Sequence, residues 1–288
     1  MVTRAFLGLG PHGFHRVAYH EWGEPAGPRV AVCVHGLTRT GRDFDDLAGE
    51  LAGAGGYRVV CPDLPGRGES AWLPRPEDYA YPVYLADLAA LLARLDAEAV
   101  DWVGTSLGGL LGLMLAAQPG SPIRRLVLND VGPFLPKAAL ERIGAYVGAD
   151  PRFESLDALE SYLRQVHAPF GPLTAAQWRR LAERSARRLP DGAWALHYDP
   201  AIGAAVRAVP PQDVDLWTLW DAVRCPVLVL RGAESDVLLG ETAEEMVRRG
   251  PRVRLVEFPG TGHAPALLAP DQIGVVRDWL LGEGGREA

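Results

Sequence analysis

Three cysteines are all that the 288 residues carry. Cys33 and Cys61 sit inside strand-like runs, Cys225 stands just before one, and no pair has a metal-ligand spacing. An odd set of this kind argues against a disulfide-stapled scaffold and a thiolate metal centre; buried free thiols suit a reducing compartment. Basic charge is also short: 29 Lys and Arg against 36 Asp and Glu leave a net charge of −7. Phosphate affinity comes from clustered cations, so a general nucleic-acid binder is not expected. No window approaches the roughly 18 apolar residues that a membrane span needs, and Met1 to Phe14 holds Arg4 but no long apolar stretch of the kind found in leaders. A soluble cytoplasmic protein is the expectation. Internal repeats are lacking, as is low-complexity sequence beyond a short polar tail, Gly282 to Ala288. Hydrophobic residues are not scarce: at 48% of the chain they can fill the core of one domain, or of one domain with an insertion.

Those residues fall into continuous runs. Val30 to Val34 runs apolar without alternation; Tyr57 to Cys61, Val100 to Val103 and Val227 to Leu230 are further apolar strands, Ile123 to Leu128 (interrupted by two arginines) and Val253 to Phe258 are also read as strands, and Arg16 to Trp22 half-alternates. Continuous runs suit strands covered on both faces. Helical spacing separates them: Phe44 to Ala52, Val83 to Leu95, Leu107 to Gln118, Glu241 to Arg249 and Pro270 to Leu281. Strand and helix in alternation predict a parallel sheet. The alternation breaks from Gly132 to Asp221, where helix-like segments occur and no convincing buried strand does. An inserted helical lid over 132–221 is therefore expected on a core formed by 1–131 and 222–288. Within it, Thr174 and Gln177 form a capping-box pattern. Trp178, Leu181, Ser185 and Leu189 follow along one face, with Arg179, Arg180, Arg184, Arg187 and Arg188 on a solvated face.

The strand from Val100 ends in Gly104-Thr105-Ser106-Leu107-Gly108-Gly109. Glycines two before and two after the serine let backbone pass close to a sharp strand-to-helix turn that lifts the hydroxyl clear of the sheet. A serine hydroxyl is a weak nucleophile near neutral pH and needs a base and a group to orient that base. His263, in the turn after the last strand, is the one histidine that follows a strand end beyond Ser106; His167 and His197 fall in the lid. Two aspartates follow strands. Asp236, after Val227 to Leu230, is favoured as the acid because it gives the order Ser106, Asp236, His263. Asp130 remains the alternative, more simply read as a structural carboxylate at the start of the lid. Oxyanion donors are expected from the backbone N–H groups of Leu107 and Leu37, with His35 fixing the loop that carries Leu37.

Taken in order, His35-Gly36, the turn Asp63-Leu64-Pro65-Gly66-Arg67-Gly68-Glu69-Ser70, the Gly104 to Gly109 elbow, the Asp236 loop and Gly262-His263 resemble the α/β-hydrolase fold family over roughly residues 16 to 281. The resemblance implies an eight-stranded, mostly parallel sheet flanked by helices, with a lid after the sixth strand. It also implies a serine hydrolase mechanism that uses no metal and no cofactor. Ser106 occupies the position where dehalogenases and epoxide hydrolases of the family carry aspartate, which disfavours those reactions.

Substrate class must come from the pocket. The lid and its borders hold Phe134, Tyr146, Phe153, Tyr162, Phe170, Trp178, Trp194, Tyr198, Trp217 and Trp220. Phe134, Trp178, Trp194 and Trp217 are the candidates for contact with an apolar acyl or aryl group, and Arg39 is a candidate for a substrate carboxylate. Three readings compete: a carboxylic-ester hydrolase acting through an acyl-enzyme, a carbon–carbon hydrolase of ring-fission dienoates or diketo acids, and a non-catalytic small-molecule receptor. The expected partner is a small ester or keto acid.

Overall fold

The computed structural model describes residues 1–282; all but the first residue of the expected polar tail lies outside the described residues. Eight strands form one sheet in the order β1-β2-β4-β3-β5-β6-β11-β12. They are β1 (Val2–Gly10), β2 (Gly13–Trp22), β3 (Arg29–Val34), β4 (Tyr57–Pro62), β5 (Val100–Thr105), β6 (Ile123–Asn129), β11 (Val227–Gly232) and β12 (Val253–Phe258). Pairing is antiparallel among β1, β2 and β4 and parallel from β4 to β12. Seven of these strands correspond to the expected runs. The eighth, β1, pairs with β2 from Val2↔Glu21 to Gly10↔Gly13. Its outer face stays exposed, so its sequence carries no buried-strand signal.

Strand side chains point alternately to opposite faces, so each parallel strand feeds two cores. Val30, Val32 and Val34 of β3 pack on one side with α2 (Tyr81–Leu95) and α3 (Leu107–Ala116). Ala31 and Cys33 pack on the other with α1 (Asp45–Gly55) and α10 (Pro270–Leu281). Burial on both faces explains the unbroken apolar runs. Cys33 and Cys61 are free and buried, and Cys225 is free and half-buried. No described helix is long and apolar enough to cross a membrane.

Between β6 and β11 the chain leaves the sheet. It forms α4 (Lys137–Tyr146), α5 (Leu156–Val166), α6 (Ala175–Ser185), α7 (Ala201–Arg207) and α8 (Trp217–Ala222). Two short antiparallel pairs accompany them: β7 (Phe134–Leu135) with β10 (Val214–Asp215), and β8 (Ala186–Arg188) with β9 (Trp194–Leu196). β7 and β10 zip the exit and the return of the excursion together. Back on the core, α9 (Gly240–Arg248) lies between β11 and β12.

The capping box at Thr174 and Gln177 forms as expected. The expected long helix ends early: Ala186 is extended, and Arg187 and Arg188 belong to β8, stacked over Trp72 and Trp194 at 5.0 and 4.7 Å. Nor is the arginine face wholly solvated. Arg184, 12% exposed, pairs with Asp45 at 3.1 Å and Asp46 at 3.4 Å, tying α6 to α1.

The first turn of α3 crosses the end of β3 at the limit of contact. A Cβ on Gly108 would lie 2.0 Å from the Val34 carbonyl oxygen, whereas one on Gly49, exposed in α1, would meet nothing within 4 Å. Gly108→Ala should therefore lower stability by roughly 1–3 kcal/mol or more, and Gly49→Ala should raise it by about 0.4–1 kcal/mol. Urea unfolding midpoints would read both, and equal effects would contradict the close crossing.

Candidate active site

Ser106 sits between β5 and α3 with φ 50° and ψ −114°, a left-handed conformation that a residue with a Cβ adopts only when its surroundings force it. The force is local. A Cβ on Gly104 would lie 2.3 Å from the Gly108 carbonyl oxygen, so β5 and the helix close on each other only because Gly104 lacks one. Trp102 Nε1 donates to that carbonyl at 3.0 Å, and Ser106 N donates to Asn129 O at 3.0 Å. The Ser106 carbonyl accepts from Gly109 N and Leu110 N, which starts the helix. Leu107 occupies the first turn, where a backbone N–H has no carbonyl one turn back to bond.

His263 Nε2 lies 2.9 Å from Ser106 Oγ, and its Nδ1 lies 2.7 Å from Asp130 Oδ2. A carboxylate can only accept, so the proton rests on Nδ1 and Nε2 is free to take one from the hydroxyl. Asp130 is fully buried, and each of its oxygens is engaged. Gly232 N donates to Oδ1 at 2.8 Å, and Ser235 Oγ donates to Oδ2 at 2.5 Å. Ser235 Oγ in turn accepts from Val237 N and Leu238 N at 3.2 Å each. Asn129 Nδ2 donates to Pro265 O at 2.8 Å, tying β6 to the histidine loop.

The expectation for Asp236 is corrected here. Its side chain is 48% exposed and is held by Arg142 Nε and Nη2 at 2.5 and 2.8 Å, away from His263. Both aspartates follow strands that neighbour each other in the sheet, so the order along the chain does not separate them. Distance along the loop does. Asp130 comes one residue after β6, at φ 57°, while Asp236 comes four residues after β11 on a turn that carries it to the surface. Ser235, a neighbour of Asp236, is the residue that this loop delivers to the site, and nothing in its sequence context marks it.

The loop after β3 is pinned from below. Leu64 N donates to His35 Nε2 at 3.0 Å, which leaves Nδ1 to donate to Gly36 O at 2.7 Å. Burial pushes the His35 imidazole down to about 4, against an ordinary 6.5, so it is neutral. Arg67, also fully buried, donates from Nε to Leu37 O at 2.8 Å and from Nη1 to Pro65 O at 2.7 Å. Asp63 accepts from Gly41 N at 2.7 Å and Glu69 N at 2.9 Å, joining this loop to the turn after β4. These bonds set the position of Leu37.

Arg39 is buried, with Nε and Nη2 on the two oxygens of Asp43 at 2.7 Å each. It lines a narrow, open cleft together with Thr38, Tyr146, Tyr162, His167 and Tyr198. Burial, and then the nearby Arg39 and His263, push the His167 imidazole well below its ordinary value. The four aromatic residues expected at the substrate are not among those lining this cleft. Phe134 is in β7, Trp178 packs under Arg164 at 5.5 Å, Trp194 under Arg188, and Trp217 under Arg249 at 4.9 Å. Tyr146, Tyr162 and Tyr198 line the cleft instead, a distinction that helical spacing alone does not carry.

A model of the alpha/beta hydrolase family matches residues 31–273. The chain is similar to a 3-hydroxybutyrate-oligomer hydrolase of Cupriavidus necator, 50% identical over 282 residues that cover 95% of this chain and 96% of that protein. It is also similar to an esterase of Mycobacterium tuberculosis, 30% identical with 85% of this chain and 79% of that protein covered. A crystal structure of an alpha/beta hydrolase from Novosphingobium aromaticivorans superposes with a TM-score of 0.84 at 40% identity, covering 96% of each chain.

The pinned loop has a pH signature. Between pH 6.5 and 4 the unfolded chain protonates His35 while the folded chain does not. The stability that His35 contributes is therefore complete above pH 6.5 and is lost as pH falls towards 4, by about 3 kcal/mol in total. His35→Gln, which keeps one donor and one acceptor, should flatten that part of the stability profile in urea titrations at a series of pH values. An unchanged slope would refute the assignment.

Proposed function

Because the chain belongs to the alpha/beta hydrolase family, we propose that it hydrolyses carboxylic esters through an acyl-enzyme on Ser106, with short ester-linked hydroxyacid chains as substrates. The observation that carries this reading is the unbroken path from Ser106 Oγ through His263 to Asp130. Ser106 Oγ attacks the ester carbonyl as its proton passes to His263 Nε2, and Asp130 stabilises the imidazolium so formed. The N–H groups of Leu107 and Leu37 receive the oxyanion, with the positive end of α3 adding to the attraction. Collapse of the tetrahedral adduct expels the alcohol, which takes the proton from His263. Water activated by the same imidazole then releases the acid and restores Ser106.

The substrate class is supported by the likeness to the Cupriavidus protein along nearly the full length of both chains. Residues 132–221 act in this reading as a lid. Its hydrogen bonds to the site loops support that role: Gly68 N to His197 O, Asp199 N to Gly66 O, and Gly262 N to Pro169 O at 2.9, 2.7 and 2.6 Å. Three free thiols fit a cytoplasmic location.

On p-nitrophenyl butyrate, Ser106→Ala should abolish turnover, and Asp130→Asn should reduce kcat on the order of 10⁴-fold by stabilising the wrong tautomer of His263. Asp236→Asn should leave turnover in place and change stability by at most about 1 kcal/mol, since it breaks only a surface ion pair. A collapse with Asp236→Asn rather than Asp130→Asn would overturn the assignment of the acid, and equal rates for wild type and Ser106→Ala would overturn the mechanism.

A further inference from the structure

Resting on the reading of Ser106 as an ester-cleaving nucleophile, we propose that Arg39 and His167 form a carboxylate-binding subsite that selects esters whose departing hydroxyacid carries a free carboxylate. The enzyme in this view recognises the carboxyl end of a short oligoester and removes its terminal unit.

Arg39 is close to the reacting centre. The point where a Gly36 Cβ would stand is 3.7 Å from Ser106 Cβ and 3.8 Å from Arg39 Cγ, so the nucleophile and the arginine stem flank one spot. The two hydrogen bonds to Asp43 fix the guanidinium plane without using all of it, and Nη1 has no acceptor among the described residues. The cleft that Arg39 lines has no Asp or Glu in its lining. Asp43, bonded to the Nε and Nη2 side of the guanidinium, is the carboxylate that opposes an incoming anion there.

Three more polar groups line the cleft without a side-chain hydrogen bond among the described residues: the hydroxyls of Thr38 and Tyr162 and the ring of His167. Thr38, Tyr162 and His167 are half-buried and reach the water of the cleft, so a ligand that offers acceptors there can take that water's place. His167 stacks on Phe170 at 4.5 Å, which holds its ring in place. Kept neutral by burial and by the charges beside it, it offers one N–H to an anion. Leu163, Val166 and Leu196 complete the wall and suit the methyl and methylene groups of a short hydroxyacid. A carboxylate pairs its own charge with the hydrogen bond from Nη1, an ion pair that a neutral end group cannot form.

The test compares the linear dimer of 3-hydroxybutyrate with the same dimer capped as its carboxamide, following cleavage of the shared internal ester. Wild type should favour the free acid by about 10- to 100-fold in kcat/KM, mostly through KM. Arg39→Gln should bring that ratio close to 1, His167→Gln should lower it several-fold, and Arg39→Lys should retain part of it. Because Arg39→Gln leaves Asp43 without its partner, the double variant Arg39→Gln/Asp43→Asn keeps the pair neutral and should show the same loss of preference. Equal kcat/KM for acid and carboxamide in wild type would overturn the subsite and leave ester hydrolysis standing, as would a preference that survives the double variant. Failure to cleave either dimer or p-nitrophenyl butyrate would overturn the ester reading and the subsite with it.

Discussion

The contact between the first turn of α3 and the ends of β3 and β5 is the constraint from which the rest of the site follows. Backbone meets backbone there, with Gly104 and Gly108 leaving no room for a Cβ. So close a crossing forces Ser106 into a left-handed turn, a strain of order 1–3 kcal/mol that the apolar packing of α3 on both sheet neighbours offsets. The strain has a functional result: the hydroxyl stands at the tip of the turn, next to an N-terminal helix dipole, instead of lying against the sheet.

Burial separates the two aspartates. A carboxylate removed from water must have its oxygens satisfied, and Asp130 receives a backbone N–H, a serine hydroxyl and the imidazole N–H. Saturated in this way it stays fixed, and it fixes His263. Asp236 is half-exposed and paired with an arginine; it has neither the burial nor the reach to orient the ring. The loop after β11 still contributes, through Gly232 and Ser235, so two neighbouring strand ends share what one was expected to supply.

The segment between β6 and β11 is bound to the loops that carry the site. Backbone hydrogen bonds reach the turns after β4 and β12, and Arg184 joins α6 to Asp45 and Asp46 beside the loop that bears Leu37 and Arg39. Arg67 lies under the same loop, with Nε and Nη1 on carbonyl oxygens and the guanidinium over the faces of Tyr79 and Tyr84 at 5.8 and 5.1 Å. The helical segment and the loops that shape the cleft are thereby joined by direct bonds.

Local chemistry made much of this protein legible in one dimension. Strand-like runs predicted seven of the eight strands, most plainly the central ones whose two faces are both buried, and the glycine spacing around Ser106 pointed to the elbow because a residue without a Cβ permits the crossing. His263 stood out by its place after the last strand, and the capping box at Thr174 by its own residues. The edge strand β1, exposed on its outer face, left no such trace. Helical periodicity ran past Ser185 because it does not register the pairing of β8 with β9. Only the tertiary structure sets Asp130 rather than Asp236 against His263, and Tyr146, Tyr162 and Tyr198 rather than the tryptophans around the cleft. Those choices depend on how far a loop carries a side chain from its strand end and on which face of a packed helix meets a cavity. The elbow, by contrast, is written into adjacent residues, and its partners become known only when distant strand ends are brought to within hydrogen-bond reach.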